Sequence, residues 1–151
     1  MSLTVHAAAD LPNLVGQVLG TSDWMLIDQA RIDAFAHATG DLQWIHMDPA
    51  RAAAGPFGTT IAHGFLTLSL ISVMSEQAFR VDGVRMGLNY GLNKVRFPSP
   101  VPVGSRLRAV FTLVACEPID GGWQLRNEVT VEREGAPKPA CVAESLARYL
   151  L

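Results

Sequence analysis

The sequence predicts a single α+β domain over residues 1–151, in which a curved antiparallel sheet wraps around one long buried helix at about residues 62–79. Three observations carry that expectation. The run from Ala52 to Ser75 holds no Asp, Glu, Lys or Arg, and its core from Phe65 to Met74 is strongly apolar. Beyond Val84 the pattern changes from helical spacing to the period-two alternation of strands. Apolar residues make up 49% of the chain and charged residues 17%, so much surface must be hidden, part of it against a partner subunit.

The elements follow in order. "LVGQVLGTSDWMLID" reads as a turn and a short first strand. Asp28 is a helix N-cap, and the helix runs to about Thr39 with Ile32, Phe35 and Ala36 on one face. Gly40 ends it, which places Asp41 just beyond. Asp48-Pro49 combines a capping carboxylate with the imino acid favoured at the first helical position, so "PARAAAG" forms a short helix closed by Gly55. His46 then falls in the loop between these short helices of the 28–55 overhang. "GPFGTT" is a turn, and the long helix follows with apolar residues around most of its circumference.

The second half reads as a meander of roughly four strands. "VRMGLNYGLNKVRF" is a long run with internal glycines. Leu107, Ala109, Phe111 and Leu113 alternate with their neighbours in the next. Trp123, Leu125, Val129 and Val131 share one face of the third, opposite Gln124, Arg126, Glu128, Thr130 and Glu132. "PACVAESLARYLL" closes the set, and "DGG" and "EGAPKP" are hairpin-type turns.

Several function classes lose support at once. A net charge of −2 with scattered basic residues gives no electrostatic case for nucleic acid or an acidic membrane surface. The apolar stretch is shorter than the roughly 20 residues needed to span a bilayer. "MSLTVHAAADLPNLVG" lacks the basic leader and apolar block of a signal peptide, so a cytoplasmic location is expected. Cys116 and Cys141 have no metal-type spacing and read as reduced, buried thiols, with a disulfide as the weaker option.

The chemistry-bearing residues cluster between Thr39 and Leu70. Asp41 and His46 stand five apart in a loop fixed at both ends, so a carboxylate and an imidazole can converge on one water. Capping of a turn by Asp41 and a backbone bond from His46 would explain the same residues. Gly64 opens the long helix, where N–H groups lack intrahelical acceptors and a carbonyl oxygen can approach closely; relief of crowding would also account for it. His63 is a second catalytic group, a zinc ligand or part of the approach to the helix. No "HExxH" spacing or companion cysteine supports a metal site. Thr67, Ser69 and Ser72 lack the "GxSxG" setting of a nucleophile.

Taken together, "TGDLQWIHMDPARA", "GTTIAHGFLTLSL" and "NYGLNKVRFPSPVPVGSRLR" resemble the MaoC-like dehydratases, the (R)-specific enoyl-CoA hydratases of the hotdog fold. The similarity spans about residues 14–150 and is to the short single-hotdog subset that includes nodulation protein N and mycobacterial (R)-hydratases. The resemblance implies a lyase of fatty acyl thioester metabolism that adds water reversibly to trans-2-enoyl-CoA, giving (R)-3-hydroxyacyl-CoA. It implies that Asp41 and His46 activate the water, that the Gly64 N–H binds the thioester carbonyl, and that Ser72 supports the Asp side. Ile61, Ala62, His63 and Gly64 with Asn89, Tyr90, Pro98 and Ser99 would line the pantetheine path. It further implies no metal or redox cofactor, coenzyme A as part of the substrate, and a homodimer with the site at the subunit interface. The broader motif reads Gly-Asp-x-Asn-Pro-x-His, and this chain departs from it with Gln43 and Trp44, so acyl-length preference does not carry over.

Two rivals remain open at the level of sequence. A hotdog thioesterase would place a carboxylate within the long helix, whereas no acid lies between Gly64 and Ser75 and Glu76 comes late. A non-catalytic acyl-thioester binding subunit would have no need of Asp41, His46 and Gly64 together.

Overall fold

A computed structural model describes residues 3–151. Met1 and Ser2, which the single-domain and leader readings also cover, lie outside the described residues. The chain begins with β1 (Thr4–Ala7) and a 3-10 segment (Ala8–Leu14), then β2 (Val18–Thr21) and β3 (Met25–Ile27). Three helices follow: α1 (Gln29–Thr39), α2 (Trp44–Met47) and α3 (Pro49–Ala53). After a turn come α4 (Gly64–Ser69) and α5 (Ile71–Ala78), then β4 (Phe79–Asp82), β5 (Met86–Arg96), β6 (Ser105–Ile119), β7 (Gly122–Arg133) and β8 (Cys141–Leu150).

The strand alternation sets the inner face of the sheet. Leu107, Ala109, Phe111 and Leu113 of β6 are buried, as are Leu125, Val129 and Val131 of β7 and Cys141 and Ala143 of β8. The main sheet is antiparallel in the order β2-β6-β7-β8-β5, with β3 also on β6. Only β6, β7 and β8 form the expected meander. β5 instead crosses to the far edge and pairs with β8. The single first strand is in fact two short ones, β2 and β3. A separate parallel pair joins β1 to β4.

The central helix differs from the unbroken one expected over 62–79. It begins at Gly64, breaks at Leu70 and ends at Ala78. Beside the break the Ser69 hydroxyl donates to the Phe65 carbonyl at 2.7 Å, the kind of back-bond that accompanies helix bends. Phe79 starts a strand instead. Leu66, Leu70, Met74 and Ala78 recur every four residues as one stripe buried against the sheet. The opposite side is not covered within the chain, and Phe65 is 69% exposed. The sequence expectation of cover on nearly all sides therefore holds for one face only.

The helix can lie this close because β2 carries Gly20, where a Cβ would strike the Ala78 carbonyl at the end of α5. A sheet curled over one central helix is the hotdog arrangement. Its overhang, α1 to α3, stands beside the N-terminus of α4 and carries the ionisable residues.

Candidate active site

Local capping builds the loop that holds Asp41 and His46. The Asp28 carboxylate accepts the Arg31 N–H at 2.9 Å and starts α1. Gly40 ends it with φ 82°, and its N–H donates to the Ala36 carbonyl at 2.8 Å. Asp41 follows with its side chain exposed. The Asp48 carboxylate caps α3 by accepting the Arg51 N–H at 3.0 Å. Between these fixed points the chain makes one more helical turn, α2, so His46 sits in a short helix and not in the open loop expected. Gln29 secures that turn: its amide donates to the His46 carbonyl at 2.8 Å and accepts the Thr60 hydroxyl at 2.6 Å.

His46 and His63 are both buried, at 6% and 3% exposure. His46 Nδ1 lies 2.6 Å from the Ile61 carbonyl oxygen, which only accepts, so Nδ1 carries the proton and the neutral ring keeps its lone pair on Nε2. His63 Nε2 likewise donates to the Asp41 main-chain oxygen at 3.0 Å, and its buried Nδ1 has no protein partner. The two imidazoles stack with centroids 3.7 Å apart, and Phe35 packs against His63 at 4.9 Å. Burial lowers the His46 pKa below its ordinary 6.5; the Ile61 bond and Asp41 oppose this, and His63 adds to it. His46 is therefore neutral at pH 7, as a proton acceptor must be.

Ligand atoms of Asp41, His46 and His63 all lie within 4.8 Å of one another. The sequence assigns no metal, yet His46 Nε2, His63 Nδ1 and the Asp41 carboxylate are donors that could hold a divalent ion. The same atoms can hold a water.

Gly64 follows His63 directly and is the first residue of α4. The His63 carbonyl accepts the N–H groups of Leu66 and Thr67, while the Gly64 N–H precedes any acceptor in its helix. A Cβ at Gly64 would come within 3.0 Å of the Phe97 ring. Of the proposed pantetheine-path residues, Ile61 and Ala62 are buried. Ile61 bonds His46, and the Ala62 N–H donates to Val101 at 2.8 Å. Pro98 is exposed, and the Ser99 hydroxyl donates to the Pro139 carbonyl at 3.0 Å. Asn89 and Tyr90 lie on β5. Asn89 Nδ2 donates to the Ser72 hydroxyl at 3.1 Å, and the Arg148 guanidinium sits 3.5 Å over the Tyr90 ring. Ser72 thus meets Asn89 and not Asp41 within the chain. Arg106 is paired with Glu134 at 3.2 Å. Both cysteines are free thiols, and burial pushes Cys141 up to about 11.

The sequence pattern of the MaoC like domain matches residues 10–134. The chain belongs to the MaoC-like family. Among its relatives, 3-hydroxyacyl-thioester dehydratase Z of Mycobacterium tuberculosis is 57% identical over 148 residues, covering 97% of this chain and 98% of that protein. Nodulation protein N of Rhizobium leguminosarum bv. viciae is 52% identical over 139 residues, with 89% and 86% coverage. The solved structure of R-hydratase PhaJ1 from Pseudomonas aeruginosa, in its unliganded form, superposes with a TM-score of 0.75 at 26% identity, covering 90% of this chain and 81% of that one.

Reading this MaoC-like protein from its sequence misses the Gln29–Thr60 clamp on His46 and the stacking of His63, because both join residues far apart in the chain. It also passes over Asn127, a buried polar residue in the apolar row of β7, although the break in that alternation is visible.

Proposed function

We propose that this MaoC-like protein is a lyase that hydrates trans-2-enoyl-CoA to (R)-3-hydroxyacyl-CoA and catalyses the reverse dehydration. The observation that carries this reading is the neutral His46 Nε2 beside Asp41, with His46 stacked on His63, the residue directly before the Gly64 N–H that opens α4. The Asp41–His46 pair holds a water. As its oxygen bonds to Cβ, the pair takes one of its protons and the carbon–carbon π electrons move toward Cα and the thioester carbonyl. The Gly64 N–H stabilises the resulting enolate oxygen, a donor of a kind worth about 3 kcal/mol. The pair then returns one proton to Cα, so that water has added across the double bond. No metal or redox group takes part in this sequence, and coenzyme A enters only as part of the substrate.

A thioesterase would cleave the same substrate at the carbonyl carbon. The test is loss of the conjugated enoyl absorbance of crotonyl-CoA with a free-thiol assay in the same cuvette, with and without a chelator. Absorbance loss without thiol, unchanged by the chelator, is expected. Thiol release would replace this reading with the rival.

His63 positions the pair by bonding the Asp41 main chain and covering one face of His46. His63→Gln keeps an N–H for the Asp41 carbonyl and removes a group that lowers the His46 pKa. It is expected to retain most activity while the acid limb of kcat/KM, below pH 6.5 in the wild type, moves upward. His63→Phe keeps the stack but loses the bond and is expected to lose roughly tenfold or more in kcat. Equal kcat in the two variants would contradict this role.

We also place the site at the interface of a homodimer in the cytoplasm. The edge strand β5 is exposed along nearly all its length, including Met86, Leu88, Tyr90 and Leu92, and Phe65 and Phe97 are uncovered beside it. The placement of Ser72 away from Asp41 supports a site completed by a second copy, and free cysteines suit a reducing compartment. Mass in solution near twice 16.3 kDa is expected. An active species at 16.3 kDa would contradict a shared site.

A further inference from the structure

Asn127 sits at an inward position of β7, between Leu125 and Val129, where every neighbour in the row is apolar. It is 3% exposed, and its Oδ1 is buried without a protein partner. Leaving such a group unpaired forfeits its hydration without return, which a fold avoids unless something meets it. Across the ladder Asn127 faces Leu113 of β6 on one side and Ser145 of β8 on the other, and Ser145 faces Leu92 of β5. These side chains form one row across the concave side of the sheet. A register shift in β6 falls immediately beside the Leu113–Asn127 pair, the kind of irregularity that re-aims side chains at sites.

Asn127 and Ser145 line a cavity of about 560 Å³ between the sheet and the α4–α5 pair, a volume suited to a small-molecule substrate. Its roof begins at Leu68, one helical turn beyond Gly64, and continues through Ile71, Ser72 and Ser75. The Ser75 hydroxyl is spent on the Ser72 carbonyl at 2.7 Å. The amide of Asn127 and the Ser145 hydroxyl beside it are the hydrogen-bonding groups of the floor, and Asn127 is the one buried with an unpaired oxygen. A purely hydrocarbon chain would cover that oxygen and return nothing.

We propose that this cavity receives the acyl group and that Asn127 selects acyl chains bearing an oxygen substituent, a hydroxyl or ketone remote from the thioester. A hydroxyl suits the amide best, because it both donates to a carbonyl oxygen and accepts from an amide N–H. This deepens the hydratase reading and rests on it for the identity of the substrate class. A site built around an unpaired polar group discriminates against the analogue that lacks its partner far more strongly than an apolar pocket discriminates by size.

The test separates binding from turnover. Calorimetric affinities are measured for saturated hexanoyl-, octanoyl- and decanoyl-CoA and for their ω-hydroxy derivatives, on wild-type protein and on Asn127→Leu, which keeps the branched heavy-atom shape and removes both polar atoms. At one chain length the hydroxylated ligand is expected to bind the wild type about tenfold or more tightly, and Asn127→Leu to erase or reverse that preference. Asn127→Asp, which keeps the acceptor, is expected to retain it, and guards against a misfolded leucine variant. Equal affinities at all three lengths, or a preference unchanged by both substitutions, would overturn the proposal. Crotonyl-CoA hydration is followed in parallel: its absence with a hydroxyl preference intact would strike the hydratase reading alone, and its presence with no preference would strike this inference alone.

Discussion

His46→Gln is expected to lower kcat/KM for crotonyl-CoA hydration by about 10²–10⁴-fold, and Asp41→Asn by a comparable factor. Glutamine can still donate a hydrogen bond toward the Ile61 carbonyl that holds His46 Nδ1. It has no lone-pair nitrogen to accept a proton from water. Asparagine keeps the size of Asp41 and its bond to the Gln43 N–H while removing the charge that steadies a protonated His46. Because the two residues serve one water, the double variant is expected to lose little more than either single one. Thermal stability of all three should stay near that of the wild type, since Asp41 is exposed and the glutamine fills the His46 site. Additive losses in the double variant, read from steady-state kinetics, would mean that the residues act on separate steps.

Phe111→Ala is expected to destabilise the protein by about 3–5 kcal/mol, lowering Tm by roughly 10 °C at fixed protein concentration. Phe111 is 2% exposed at the centre of β6, and its ring meets Phe79 edge-on at 5.6 Å where α5 passes into β4. It therefore joins the sheet, the end of the central helix and the small parallel pair. Its ring also closes one side of the cavity beneath α5, so truncation enlarges that space as well as removing buried area. Calorimetric unfolding of the purified variant reads the effect. A change below about 1 kcal/mol would mean that the core relaxes around the missing ring.

Local chemistry made much of the fold legible. Asp28, Gly40 and the Asp48-Pro49 pair each act within a few residues, and the structure uses each as a cap or stop. The rows Leu107–Leu113 and Leu125–Val131 needed only the pleat of a strand to be assigned a buried face. What stayed hidden depends on distant partners. Nothing within "VRMGLNYGLNKVRF" says that β5 crosses to β8. The interruption at Leu70 falls beside a hydroxyl that bonds the carbonyl four residues back. At the site, the spacing of Asp41 and His46 was readable because one short loop fixes both. The stacking of His63 on His46 was not, since it exists only once the α4 N-terminus docks against the overhang.

The most direct measurement is the configuration of the product. Crotonyl-CoA is converted by the wild-type protein, and the 3-hydroxybutyryl-CoA formed is offered in turn to an (R)-specific and an (S)-specific dehydrogenase. Oxidation by the (R)-specific enzyme alone is the expected result, since one water held on one side of the bound enoyl group by Asp41 and His46 can reach only one face of Cβ. Product accepted equally by both would contradict a water held by that pair, and product accepted by the (S)-specific enzyme alone would contradict the (R)-hydratase reading.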